Sequence, residues 1–94
     1  MARRRRAYWM NEKDDIILEY LDDVGVAEPP AVIHFNISRT EEVDFVEKTT
    51  KRRLKRLLGL GLVTLAYEKG RYYEITDEGR AYLAGDLDAS ELDG

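Results

Sequence analysis

"KTTKRRLKRLLGLGLVTLAYEKGRYYEI", residues 48–75, carries the pattern from which the fold can be worked out. Its first eleven residues hold six cations, in a chain of net charge −4. Taking Leu54 as the centre of a helical face and advancing about 100° per residue, Glu47, Thr50, Leu57 and Leu58 share that face, with Lys51 at its edge. Lys48, Thr49, Arg52 and Arg56 fall opposite, and Arg53 and Lys55 flank them. The segment from about 46 to 58 is therefore expected to be an amphipathic helix with leucine beneath and cations above, broken by Gly59 and Gly61. Beyond it Val63, Leu65 and Tyr67 alternate, as do Tyr73 and Ile75, the mark of two half-buried strands. A two-residue loop at Lys69–Gly70 would pair Leu65 with Glu74 and mix the two faces. A three-residue loop at 68–70 pairs Leu65 with Tyr73 and Val63 with Ile75. It also puts Gly70 where a left-handed residue is needed, and its tip projects Lys69 and Arg71. That register is the one expected.

Upstream, "NEKDDIILEYLDDVG" (11–25) predicts a helix capped by Asn11 and stopped by Gly25, burying Ile16, Ile17, Tyr20, Leu21 and Val24. The acid pairs Asp14/Asp15 and Asp22/Asp23 have no His or Cys partner nearby, and adjacent helical residues diverge. They are read as solvated surface rather than as catalytic carboxylates. "EPPAVIHFNI" (28–37) predicts a short helix over Pro30–Asn36, burying some of Ala31, Ile33, Phe35 and Ile37. His34, the only histidine, is expected at the surface or partly packed. In "SRTEEVDFVE" (38–47) Ser38 and Glu41 match a capping box, whereas "VDFV" suits a short strand near Val43–Val46. A loop or turn leading into that strand is expected. Downstream, "TDEGRAYLAG" (76–85) predicts a last helix capped by Thr76 or Asp77 and ended by Gly85. Residues 1–10 are expected to form a flexible basic arm, with Tyr8 and Trp9 packing where the fold begins. Residues 11–85 form the domain and 86–94 an acidic tail. The element order is helix, helix, basic helix, hairpin, helix, an α+β arrangement.

Composition narrows the function. A chain of 94 residues is long enough for one core and too short for two. The absence of cysteine excludes disulfides and thiolate-bound zinc, and one histidine does not make a metal site. No apolar run approaches a membrane span, and no apolar segment follows the basic start as a secretory signal requires. A cytoplasmic protein is expected, with no metal, cofactor or small-molecule ligand. No nucleophile–base pair or phosphate-cradling glycine loop argues for an enzyme. Net positive charge is concentrated in two segments, +4 over residues 1–10 and +5 over 47–56, against an acidic remainder. That sorting points to a specific anionic partner, and the acidity elsewhere suits a salt-adapted intracellular protein.

The order of elements, and "RRLKRLLGLGLV" (52–63) followed by "YYEITDEGRAYLAG" (72–85), resemble a winged helix-turn-helix domain: a three-helix core, a two-stranded wing and a C-terminal helix. More narrowly, "WMNEKDDIILEYL", "PPAVIHFNI" and "ITDEGRAYLAGDLDASEL" are similar to the haloarchaeal family named after the repressor of the phage phi-H. The resemblance runs from Trp9 onward. It implies a DNA-binding transcriptional regulator, with a recognition helix at about Val46–Leu58 and a wing tip at 68–71. Where that family often has a small hydroxyl residue, this chain has Val46. Lys48, Thr49 and Arg52 are then expected nearest base edges, with Lys51 beside them. Arg53, Lys55, Arg56, Lys69 and Arg71 are expected on phosphates, and Arg3, Arg4, Arg5 and Arg6 along the backbone or in a minor groove. A homodimer built from the first helix and Asp77–Leu92 is expected, with Tyr82, Leu83 and Leu87 exposed in the monomer. A winged-helix module for protein contacts, or a non-specific nucleic-acid binder, is the alternative.

Overall fold

The computed structural model of the chain describes residues 3–40, 43–67 and 69–92. In chain order they form α1 (Glu12–Val24), α2 (Pro30–Thr40), α3 (Glu47–Leu60), β1 (Val63–Tyr67), β2 (Tyr72–Ile75) and α4 (Asp77–Ala84). A 3₁₀ turn at Ala89–Glu91 follows. The α1 helix begins where Asn11 accepts the Lys13 N–H on its side chain and Asp14 accepts the Asn11 N–H, each at 2.9 Å. This reciprocal arrangement satisfies backbone donors that have no partner within the helix. Gly25 ends the helix, as expected. The buried stripe of α1 is Ile17, Leu18 and Leu21, while Ile16, Tyr20 and Val24 are half-buried. Asp14 and Asp15, read as solvated, are buried instead.

Helix α2 runs one turn past the expected end at Asn36, so Ser38 lies inside its last turn rather than starting a new one. Ile33 and Ile37 face the core, and Ala31 and Phe35 are exposed. No strand forms at Val43–Val46, and Glu41 lies outside the described residues. The flank of β2 is taken by Glu28, which exchanges both backbone hydrogen bonds with Tyr73 at 3.0 and 2.9 Å. Phe45 instead packs edge-on against His34.

Helix α3 buries Thr50, Leu54, Leu57 and Leu60, and Leu58 is half-buried. Gly59 lies within the helix and Gly61 caps it. The hairpin keeps the expected register, Val63 opposite Ile75 and Leu65 opposite Tyr73. Its turn differs. A bulge shifts the pairing to Tyr67 opposite Tyr72, and the left-handed residue is Arg71 (φ 51°), not Gly70. Gly70 lies close under two exposed rings: a Cβ there would displace the Tyr72 ring and come within 2.8 Å of Tyr67 Cδ2. Thr76 caps α4 by accepting the Gly79 N–H at 3.0 Å.

Residues 3–10 are not a free arm. Ala7 and Met10 are buried in the core, Arg5 bridges to Asp88, and the Ala89 N–H donates to the Arg5 carbonyl at 2.8 Å. Ala89 is itself buried, so residues 88–91 close over the N-terminal segment. The free-arm expectation gives way because Arg4 and Arg6 meet the buried Asp15 carboxylate and Ala7 and Met10 enter the core.

Candidate nucleic-acid interface

The leucine face of α3 is sunk in the core, which fixes the rotation of its opposite face. Lys48, Lys51, Arg52, Lys55 and Arg56 are all exposed along it, and Thr49 is half-buried near its start. Among the described residues, no carboxylate forms an ion pair with any of the five cations. Glu47, Lys48, Lys51, Arg52 and Lys55 line one shallow depression. Val46 precedes the helix in extended conformation and supplies no side-chain cap. Its backbone carbonyl accepts the Thr49 N–H at 2.9 Å. The ridge is rigid at its root as well. Thr50, fully buried, pairs its hydroxyl with His34 Nδ1 at 2.8 Å and so ties α3 to α2. His34 thus has the partly packed role expected of it.

Three of the arginines expected to face DNA are engaged inside the protein. Arg53 turns inward and donates from Nη1 to the Trp9 carbonyl at 3.1 Å, with Asp14 Oδ2 3.5 Å away. Burial pushes the Asp14 carboxyl above its ordinary pKa, only partly offset by the Asn11 N–H and Arg53. Arg4 donates from Nε to the Leu83 carbonyl at 2.9 Å and from Nη1 to Glu19 at 2.6 Å. Arg6 pairs with Asp15 at 3.0 Å, and Asp15 also accepts the Tyr82 hydroxyl at 2.5 Å. Burial, and then the Asp15 carboxylate, hold the Tyr82 phenol protonated well above its usual range. Tyr82, expected on an exposed dimer surface, is fully buried, and Leu83 and Leu87 are half-buried. The Asp15 cluster was missed because its members stand far apart in sequence. Charge pattern alone offers no sign of which arginine meets which acid.

Arg3 and Arg5 are exposed. At the other edge Lys69 and Arg71 are exposed on the hairpin, beside an edge-on pair of Tyr67 and Tyr72 with ring centroids 6.0 Å apart. A cationic helix face flanked by a cationic hairpin can neutralise phosphates along a duplex and present donors to base edges between them.

A helical core whose exposed basic helix leads into a two-stranded wing defines the winged helix-turn-helix class. The family profile described as "Winged helix-turn-helix phage repressor" matches residues 3–94, and the chain belongs to that family. Among solved structures it is similar to the PhiH1 repressor-like protein from Haloarcula marismortui, with 30% sequence identity and a TM-score of 0.80. That match covers 98% of this chain and 97% of the other. None of the curated proteins matches it. Among the described residues, no helix is long and apolar enough to cross a membrane.

Proposed function

We propose that the protein is a sequence-specific double-stranded DNA-binding regulator acting as a repressor, with α3 in the major groove and the hairpin on the backbone. The observation that carries this is the set of five exposed cations on α3, free of ion pairs among the described residues, while Arg4, Arg6 and Arg53 are drawn into pairs with acids of α1. Lys48, Thr49 and Arg52 read base edges, with Lys51 beside them, and Lys55 and Arg56 hold phosphates. Lys69 and Arg71 meet the backbone from the wing, and Arg3 and Arg5 remain available for further phosphates. Arg4 and Arg6 are paired with Glu19 and Asp15 of α1, and Arg53 is held by the Trp9 carbonyl and Asp14, so these three serve the fold.

The molecule measures 30 × 29 × 22 Å, while paired half-sites lie about 34 Å apart. Because a single module of that size reads only a few base pairs, the proposed form is a homodimer reading two half-sites, and with Tyr82 buried its contacts draw on the outer faces of α1 and α4. The high acidic content, and a similar structure from Haloarcula marismortui, favour a protein working at high salt inside the cell. Salt weakens phosphate contacts with a slope near −0.9 per contact, so base contacts and shape fit carry much of the affinity there.

Genomic footprinting identifies the operator, and gel-shift titrations then test the roles. Arg52→Ala loses about 1–3 kcal/mol on the operator and relaxes discrimination at one base position. Lys55→Ala weakens operator and scrambled duplexes equally. Equal wild-type binding to both duplexes would remove the specific reading.

A further inference from the structure

Trp9 is the chain's single tryptophan. It sits half-buried on a turn closed by the Met10 N–H donating to the Ala7 carbonyl at 2.9 Å, between two core residues. Two guanidinium groups of α3 meet it. Arg53 Cζ lies 5.9 Å from the ring centroid and Arg56 Cζ 4.3 Å. Their spacing of three residues places both on one side of the helix, yet their fates differ. Arg53 is mostly buried, donates from Nη1 to the Trp9 carbonyl and lies 3.5 Å from Asp14. Arg56 remains exposed and, among the described residues, rests on the ring alone.

We propose that Trp9 is a positioning residue for DNA binding, a platform that holds the Arg56 guanidinium ready to meet a phosphate. The inference rests on the DNA-binding reading above. A guanidinium stacks through its flat face and donates hydrogen bonds through its edges. The ring therefore orients Arg56 without competing for the donors a phosphate needs. A free arginine loses rotamer freedom when it engages a ligand, and one already stacked loses less. Arg53 completes the device: its bond to the Trp9 carbonyl, backed by Asp14, fixes the platform to the helix it serves.

The phosphate contact is indifferent to sequence, so a short mixed-sequence duplex is the probe, titrated over a range of salt. Trp9→Leu is expected to bind about two- to fivefold more weakly, the loss of one exposed cation–π contact. Trp9→Phe, which keeps an aromatic face, falls between. Arg56→Ala flattens the salt slope by about 0.9, while Trp9→Leu leaves it unchanged. In the Arg56→Ala background, Trp9→Leu adds no further loss. The tryptophan emission of the free protein shifts on Arg56→Ala, because the ring loses the nearer of its two cations. Undiminished binding by Trp9→Leu, or the same loss in both backgrounds, overturns the proposal in favour of a purely structural tryptophan. Should Trp9→Leu not fold, Trp9→Phe and the emission decide: identical emission from wild type and Arg56→Ala overturns it. A wild-type protein that bound no duplex at low salt would remove the DNA-binding reading itself. The emission comparison would still report whether the stack exists.

Discussion

Adjacent residues on a helix diverge by about 100°, and Asp14 and Asp15 use that divergence to serve different elements. Asp14 turns toward Arg53 of α3, and Asp15 toward Arg4, Arg6 and Tyr82. Removing one member of a buried pair leaves the other charge without compensation, which costs about 3–5 kcal/mol. Asp14→Ala is therefore expected near the lower end of that range, since Arg53 keeps 15% side-chain exposure and can recover some hydration. Urea melts at neutral pH measure it. The pH dependence has a definite sign. Because burial raises the Asp14 carboxyl, the folded chain holds its proton more tightly than the unfolded chain. Between the ordinary and the raised value, stability from this group grows as pH falls and declines as pH rises. Wild type should gain on Asp14→Asn as pH is lowered through the region just above ordinary carboxylate values. A stability difference that is flat across that region would count against the assignment.

Elements pack here through a few close approaches that no propensity scale foresees. In α4 a Cβ on Gly79 would collide with the Leu62 carbonyl oxygen and come within 2.6 Å of Ile75 Cγ1. That close approach lets α4 lie against the end of the hairpin. Gly59, inside α3, has nothing within 4 Å of a Cβ. The same substitution should therefore act in opposite directions. Gly59→Ala should stabilise by about 0.5–1 kcal/mol through helix propensity. Gly79→Ala should destabilise by about 1–3 kcal/mol through overpacking. Thermal melts of the two variants side by side test the packing directly, and a gain in both would place α4 differently.

Across the whole molecule, the N-terminal segment acts as a strap. It contributes Ala7 and Met10 to the core, supplies Arg4 and Arg6 to the acids of α1, and is closed over by residues 88–91. Removing residues 1–10 would strip Asp15 of Arg4 and Arg6 and take Ala7 and Met10 out of the core. The cost should reach about 3 kcal/mol, a drop of roughly 12–24 °C in melting temperature for a domain of this size. A free arm would behave otherwise, weakening DNA binding and leaving the melting temperature alone. Calorimetry on the truncated chain separates the two.

What could be read from the sequence follows short-range rules. The Asn11, Thr76, Gly25, Gly61 and Gly85 caps, the leucine face of α3 and the hairpin register depend on residues within a turn or a strand pair of one another. Periodicity and turn chemistry therefore specify them locally. The exposed cations of α3 were legible for the same reason, since burying the leucines dictates where the charges point. What only the tertiary structure decided involves partners distant in sequence. Arg53 is spent on Trp9 and Asp14, Arg4 and Arg6 on Glu19 and Asp15, and Glu28 takes the edge of β2 at Tyr73. An ion pair or a sheet edge can be used once. Which residue takes it depends on where the chain brings its segments together in space, information that no local pattern carries.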